Sequence, residues 1–515
     1  MRVPGLELTA RRLDAPLPIA HIDVSAPQWR ALAEAVADVE GRLVALWGSE
    51  LPRVGAARAA VHGAYATADG LIWATLSVGD DGRYPDLAAV FPCAARMQRA
   101  ATDLCGLQAS GAADERPWLD HGTWPRAYPL RSADPPGAGA RHDGGPGDYA
   151  FVRVVGDGVH EIPVGPVHAG IIEPGHFRFS IVGEKVLRLE ERLGYVHKGI
   201  ERRFTELPPL AAARLAGRVS GDSTVAYAWA YAMALESAAG AQVPLRAQWL
   251  RAVMLERERV ANHLGDLGAL GNDAALAFAL AQFSRLREDW QRASCDAFGH
   301  RLMMDAVVPG GVAHDVDTAQ IVRMHKQCDT IELELRTLRA IFDDHSGLQD
   351  RFIGTGRVTP ALARRLGLTG LAGRASGQAH DLRCDHSWPP YERFAVAKAG
   401  SEQGDVAARV AVRFDEVIAS LQLIRALLTD LPAGPVHATP LLPERSARGA
   451  GWVEGWRGEV FVALELHEGR IARCHCHDPS WQNWPVLEHA VIGNIVPDFP
   501  LINKSFNLSY SGQDL

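Results

Sequence analysis

Between Ala133 and Gly147 the chain reads ADPPGAGARHDGGPG. Proline lacks an amide proton and glycine lacks a Cβ, so at this density neither a helix nor a strand continues through the stretch. The sequence therefore divides into residues 1–132, a Pro/Gly-rich linker at 133–148, and residues 149–515. The larger part has ample length for its own core.

The two parts carry different hydrophobic periods. Before the linker, a helix is expected from about Pro27 to Trp47, with Ser25 or Ala26 near its cap. A strand is expected over Leu71–Val78, where Ile, Trp, Thr and Val cluster. After the linker, Gly158 to Glu184 reads as strands and turns. Long helical patterns follow at about 223–237, 244–269, 273–298, 317–344 and 404–430. Pro244 is well placed in a first helical turn. Glu459–Leu466 alternates as a strand, and His467-Glu468-Gly469-Arg470 suits a hairpin turn. The fold class is α+β: a small N-terminal α+β domain, then a mainly α domain with a central helical bundle and peripheral β elements.

Composition narrows the function. A net charge of −8 gives no footprint for nucleic acid. The apolar run Val225–Leu235 is too short to cross a bilayer and is followed by Glu236. Met1–Glu7 has no apolar h-region and reads as no signal peptide. Seven scattered cysteines without a C-x-x-C fit a reducing cytoplasm rather than a disulfide framework. Cys474-His475-Cys476-His477 follows a strand-like run, so its cysteines and histidines face opposite ways and make a poor tetrahedral site. Glu256, Arg257, Glu258, Arg259 and His263 form a charged helical stretch, expected to be solvated or to pair between helices.

Collinear landmarks identify a family. Gly165-Pro166-Val167-His168, Glu173-Pro174-Gly175-His176-Phe177-Arg178, Gly194-Tyr195-Val196-His197-Lys198-Gly199-Ile200-Glu201, Gly373-Arg374-Ala375-Ser376-Gly377, Asp381-Leu382-Arg383 and Trp481-Gln482-Asn483-Trp484-Pro485 lie in order along 149–515. This region resembles the large subunit of membrane-bound, formate-hydrogenlyase-type nickel–iron hydrogenases and the homologous 49-kDa subunit of complex I. Pro85-Asp86-Leu87, Phe91-Pro92, Asp103-Leu104-Cys105-Gly106-Leu107 and Tyr128-Pro129-Leu130-Arg131 resemble the 30-kDa subunit of complex I.

The resemblance also marks departures. Hydrogenases of this group carry R-x-C-G-x-C and D-P-C-x-x-C motifs whose four thiolates hold nickel and iron. The matching positions here are Ser220, Ser223, Ser509 and Gly512. Hydroxyls are hard donors and glycine offers none, so no metal is expected on this chain. A histidine common in the hydrogenase motif is Tyr227 here, and the quinone-contacting tyrosine of complex I falls at Gly221. The sequence given ends at Leu515, close behind Gly512, without the segment that hydrogenases of the group cleave after nickel loading.

By resemblance, His168 and His176 fall where complex I has its two quinone-loop histidines, and Glu173 where hydrogenases relay protons. Arg178, Ser220, Gly221, Asp222, Ser223, Arg374, Ser509 and Gly512 are expected to line the cavity. Ser220, Asp222 and Ser223 also suit a turn capping the following helix. Arg374 suits either an anion or an ion pair with Asp381 or Asp385. The resemblance implies a large subunit without its own metal, accepting a quinone or another small molecule against an iron–sulfur small subunit. Further implied partners are a ferredoxin-like subunit and antiporter-like membrane subunits, with the complex peripheral to the cytoplasmic face of the inner membrane. The alternative is a catalytically silent scaffold or coupling subunit between electron-transfer and ion-pumping modules.

Overall fold

The computed structural model describes residues 10–51, 59–132, 149–168 and 172–515. The linker at 133–148 and the N-terminal segment Met1–Glu7 lie outside the described residues.

The N-terminal part is a five-stranded sheet in the order β1-β2-β5-β4-β3, formed by β1 (Arg11–Arg12), β2 (Ile19–Val24), β3 (Arg42–Glu50), β4 (Ala59–Thr67) and β5 (Gly70–Val78). Strands β2 and β5 run parallel and the other neighbours antiparallel. The expected helix to Trp47 is corrected: α1 spans Ala26–Asp38, and Arg42–Glu50 is β3. At its start the Ser25 amide donates to Gln28 Oε1 at 2.9 Å. The second half of that stretch misleads because β3 is apolar on both faces. Leu43 and Leu46 face one core, while Val44, Ala45 and Trp47 face another. A short run buried on both sides carries no period that separates strand from helix.

Burial of both faces also sets how the two parts meet. Trp47, Ala64 and Trp73 share a core with the helices beyond the linker, whereas Ile22, Tyr65 and Ile72 pack with α1. At the joint Trp47 stacks between His62 and His475, with ring centroids 5.0 and 4.7 Å away. Gln482 Nε2 donates to the Val44 carbonyl at 2.5 Å.

Beyond the linker, long helices span Thr224–Ala239, Leu245–Asp273, Ala277–Phe298, Thr318–Asp344 and Val406–Thr429. Thr224–Ala239 is apolar nearly all round and buried, as a central helix must be. A three-stranded antiparallel sheet, Ala447–Glu454, Glu459–His467 and Arg470–His477, lies directly on it. Gly451 permits this approach, since a Cβ there would overlap the backbone of Ala230. A second sheet comprises Val159–Val164, His176–Val182 and Lys185–Arg192. Among the described residues no helix is long and apolar enough to cross a membrane.

The charged stretch of Leu245–Asp273 is not solvated. Glu256, Arg257, Arg259 and His263 are fully buried. Each finds partners on other elements. Arg383 and the hydroxyls of Tyr391 and Ser420 reach Glu256 at 3.0, 2.8 and 2.6 Å. His263 Nε2 and Arg374 meet Glu416 at 2.8 and 2.7 Å, and Arg374 also meets Glu454 at 2.8 Å. Burial alone would raise the Glu416 pKa, but Arg374, His263 and Arg259 outweigh it and hold the carboxylate well below its usual range.

Two predictions concern these buried charges. Glu416→Ala strands three cationic or imidazole partners and lowers stability to urea by about 3–5 kcal/mol, whereas exposed Glu468→Ala shifts it by less than about 0.5 kcal/mol; equal effects would dissolve the argument. Glu201, on the short Ile200–Phe204 helix, pairs with Arg473 and His475 at 3.1 and 2.6 Å. Burial favours its neutral form, yet these partners bring its pKa from 4.5 down to about 2. A depressed pKa gives stability that is complete above the unfolded value and lost as pH falls. Wild type therefore loses roughly 3 kcal/mol between pH about 4.5 and 2 from this group, and Glu201→Gln flattens that part of the acid-unfolding curve.

Candidate functional site

A cavity of about 790 Å³ opens between the loop after Val159–Val164, the turn before Thr224–Ala239, and the C-terminal segment. It gathers His168, Glu173, Ser220, Gly221, Asp222 and Ser509 from the sequence-expected residues. Its apolar wall includes Val164, Ile172, Phe179, Phe499 and Leu508. Volume and mixed lining suit a small organic ligand.

The inner wall is held by an ion pair. Gly221–Ser223 forms a single 3-10 turn that brings Asp222 against Arg457. The guanidinium grips both carboxylate oxygens, at 2.8 and 2.5 Å, and donates to Ser223 Oγ at 3.2 Å and to the Asn507 carbonyl at 2.5 Å. Burial would raise the Asp222 pKa, but Arg457, Ser220 and Ser223 bring it to about 2. The helix cap expected from Ser220, Asp222 and Ser223 is therefore supplied from elsewhere. Their side chains are drawn to Arg457 and to one another, and Glu258 from the Leu245–Asp273 helix accepts from the amides of Val225 and Ala226 at 2.7 and 3.2 Å. Burial raises the Glu258 pKa to about 8 against the pull of those amides.

The positions that resemble thiolate ligands are tied into protein hydrogen bonds. Ser220 Oγ lies 2.9 Å from Ser509 Oγ and donates to Asp222 at 2.8 Å. Ser509 Oγ accepts from the Gly512 amide at 2.9 Å. A Cβ on Gly512 would stand 2.7 Å from Asp478 Cγ, so a carboxylate fills the room a fourth side chain needs. Tyr227 holds that carboxylate by donating to Oδ2 at 2.7 Å, and the Ser480 amide donates to Oδ1 at 2.8 Å. Three hydroxyls and a blocked fourth position do not suit a soft nickel–iron centre. Among the described residues no group of three or more His, Cys, Asp or Glu is placed to share a metal ion.

Other expected residues lie away from the cavity wall. His176 is half-buried against Phe151, 4.9 Å between rings, and burial followed by Arg178 lowers its pKa. Arg178 pairs with Glu161 at 3.1 Å and lies over Phe151. Strand geometry explains both placements: they belong to His176–Val182, where alternate side chains leave the cavity face. Ser223 and Gly512 lie behind the wall, and Arg374 is enclosed by Glu416 and Glu454, with Asp381 at 3.9 Å. Glu173, by contrast, stays on the wall and accepts from the Ser511 amide at 3.1 Å.

Sequence reasoning missed Arg457, Lys504, Asp273 and Tyr510, all on the wall. Arg457 had a signal, since it occupies a tight turn between glycines 455 and 458. Lys504 and Asn507 both reach Asp266, at 3.4 and 2.7 Å, which no local pattern reveals. Burial raises the Asp273 pKa and Lys504 opposes it.

Residues 274–449 match the family described as respiratory-chain NADH dehydrogenase, 49 Kd subunit, and residues 22–139 match the 30 Kd subunit. The chain is 32% identical to formate hydrogenlyase subunit 5 of Escherichia coli, over 86% of this chain and 79% of that protein. It is 33% identical to the carbon monoxide-induced hydrogenase of Rhodospirillum rubrum, over 68% of this chain and 97% of that protein. It is 28% identical to NADH-quinone oxidoreductase subunit 4 of Thermus thermophilus, over 68% of this chain and 92% of that protein. A chain from the structure of the membrane-bound sulfane sulfur reductase, an archaeal respiratory membrane complex, shares the fold with a TM-score of 0.66 at 24% identity, covering 70% of this chain and all of that one.

The blocked fourth position has a direct test. Gly512→Ala destabilises by about 1–3 kcal/mol through overlap with Asp478, while Gly221→Ala, with nothing within 4 Å of its Cβ, is close to neutral. Adding Asp478→Ala to Gly512→Ala costs less than the sum of the single changes; additive energies would show that the carboxylate does not occupy that space.

Proposed function

This chain belongs to the family that joins the large subunits of formate-hydrogenlyase-type hydrogenases to the 49-kDa subunit of complex I, and on that premise we propose that it is the large subunit of a membrane-associated oxidoreductase complex whose cavity accepts a quinone or a similar small carbonyl compound. The observation that carries the reading is the cavity itself. It lies between the two chain segments whose motifs resemble the family's metal-binding ones, and its inner wall is an ion pair and hydroxyls instead of thiolates. A 30-kDa-type unit at 1–132 and a large-subunit unit at 149–515 form the two modules of this reading.

A quinone becomes a quinol by taking two electrons and two protons. Electrons would arrive from an iron–sulfur cluster carried by a partner small subunit. This chain's part is to bind the ring, exclude water and supply protons. His168 lines the cavity with Nδ1 held 3.1 Å from the Gly165 carbonyl, leaving the other ring nitrogen for a ligand. Glu173 lines it too, hooked to the Ser511 amide, and can pass protons inward. Membrane attachment is assigned to partner subunits, including antiporter-like and ferredoxin-like ones, at the cytoplasmic face.

The test uses the purified complex of this chain with its cluster-loaded small subunit, a low-potential dye as donor and a short-chain benzoquinone. Wild type binds and reduces the quinone, and His168→Ala lowers kcat/KM at least about a hundredfold, the low end for loss of a proton donor. An intact, cluster-loaded complex that neither binds nor reduces the quinone would overturn the reading and leave a silent scaffold or coupling subunit in its place.

A further inference from the structure

Lys504 is the cation on the cavity wall whose charge its surroundings leave unbalanced. It stands on the Phe499–Phe506 helix, where Phe499 and Asn503, and Pro500 and Lys504, are four residues apart and bring one helix face to the cavity. The Lys504 side chain is 32% exposed and lines the cavity, so its ammonium is open to a seated molecule. Its ion-pair partner among the described residues is Asp266, with Oδ1 at 3.4 Å. That carboxylate is already met twice. Arg413 Nε donates to Oδ2 at 3.0 Å, and Asn507 Nδ2 donates to Oδ1 at 2.7 Å. Arg413 reaches no other carboxylate among the described residues. One negative charge therefore faces two cations, a guanidinium in the core and an ammonium on the wall. Among the described residues the ammonium donates no hydrogen bond.

The other charges of the wall differ. Arg457 is matched by Asp222, which takes it on both oxygens. Glu173 and Asp273 bring carboxylates to the same cavity. Glu173 is held by the Ser511 amide, and burial moves Asp273 toward its neutral form against the pull of Lys504. The surplus positive charge on this wall is at Lys504.

We propose that Lys504 is a ligand-binding residue whose ammonium donates to the acceptor oxygen on which negative charge develops during reduction. A carbonyl oxygen that receives electrons ahead of its proton becomes negative, and a fixed cationic donor stabilises it more than the neutral carbonyl. For a quinone the balance is two electrons from the partner subunit's cluster and two protons, one to each ring oxygen. Lys504 keeps its own proton and stabilises the charge that precedes them. The ligand is thus an apolar ring whose oxygen is neutral when oxidised and anionic as electrons arrive. Val164, Ile172 and Val496 offer apolar surface for that ring.

This inference rests on the acceptor-cavity reading, and its test separates the two. The purified complex, with its cluster-loaded small subunit, is titrated with two rings of similar shape. One is a naphthoquinone, which is neutral; the other is its ring-hydroxylated analogue, which is ionised at neutral pH. Lys504→Gln weakens binding of the ionised ring about tenfold or more, as expected for one hydrogen bond to a charged group, and weakens the neutral ring by a smaller factor. Lys504→Arg keeps the charge and retains the preference. A lysine in the last turn of a helix is also favoured by the free carbonyls there; a role confined to that would shift both rings alike. Equal shifts, or no shift for the ionised ring, overturn the proposal while the cavity reading stands. Failure of the wild type to bind either ring removes both.

Discussion

The buried ion-pair network on the Leu245–Asp273 helix is the constraint on which the rest of the structure depends. Charges without water are tolerated only when each is met by an opposite charge or several hydrogen bonds. Glu256, Arg259, His263 and Asp266 project from one side of that helix at three- and four-residue spacing; Arg259 meets Glu256 within the helix at 3.3 Å, and the other partners come from other elements. Those partners are Arg383, Arg413 and Glu416, with Arg374 and Glu454 joined to them through Glu416. They belong to two short helices, the Val406–Thr429 helix and the sheet on the Thr224–Ala239 helix. An apolar core of equal volume would match or exceed this network in stability. What the charges add is position: each pair has one geometry, and a shift of any element leaves a charge unpaired.

That rigidity reaches the cavity. Asp266 is shared by Arg413 inside the network and by Lys504 and Asn507 on the cavity wall. Arg259 donates to the Glu454 and Gly455 carbonyls, which fixes the turn that carries Arg457. Glu258, one residue earlier on the same helix, caps the helix that follows the Ser220–Ser223 turn. A single helix therefore sets three parts of the wall.

Much of this is legible in the sequence. The five long helices fall within a few residues of where the apolar periodicity puts them, and the hairpin turn lies at His467–Arg470. The chain segments of the cavity are legible too, because motifs at Gly165–His168, Ser220–Ser223 and Asn507–Gly512 name them. What is not legible is which side chain in each segment faces inward. His176 and Arg178 stand in the family landmarks, but strand alternation and Phe151 turn them aside. Tyr510 occupies a motif position that carries no expectation of its own, and tertiary packing on Trp484 and Gly175 makes it part of the wall. Arg42–Glu50 hides its strand for the same reason: its partners lie in two different cores, and a sequence pattern records only one neighbourhood at a time.

The departures from the hydrogenase pattern are concerted rather than scattered. Gly512 is compatible with Asp478 only because it has no Cβ, and Asp478 is held there by Tyr227, which stands where hydrogenases commonly have histidine. Ser220 and Ser509 hydrogen-bond across the space between the two motif segments, and Arg457 places a paired cation beside them. Changing one of these residues alone would leave a clash, an orphaned hydroxyl or an unpaired buried charge. A site decaying after loss of function would be expected to show such defects. Among the described residues, this wall instead satisfies its buried side-chain polar groups with one exception, the buried phenol of Tyr510. The substituted residues thus hold one another in a mutually hydrogen-bonded wall.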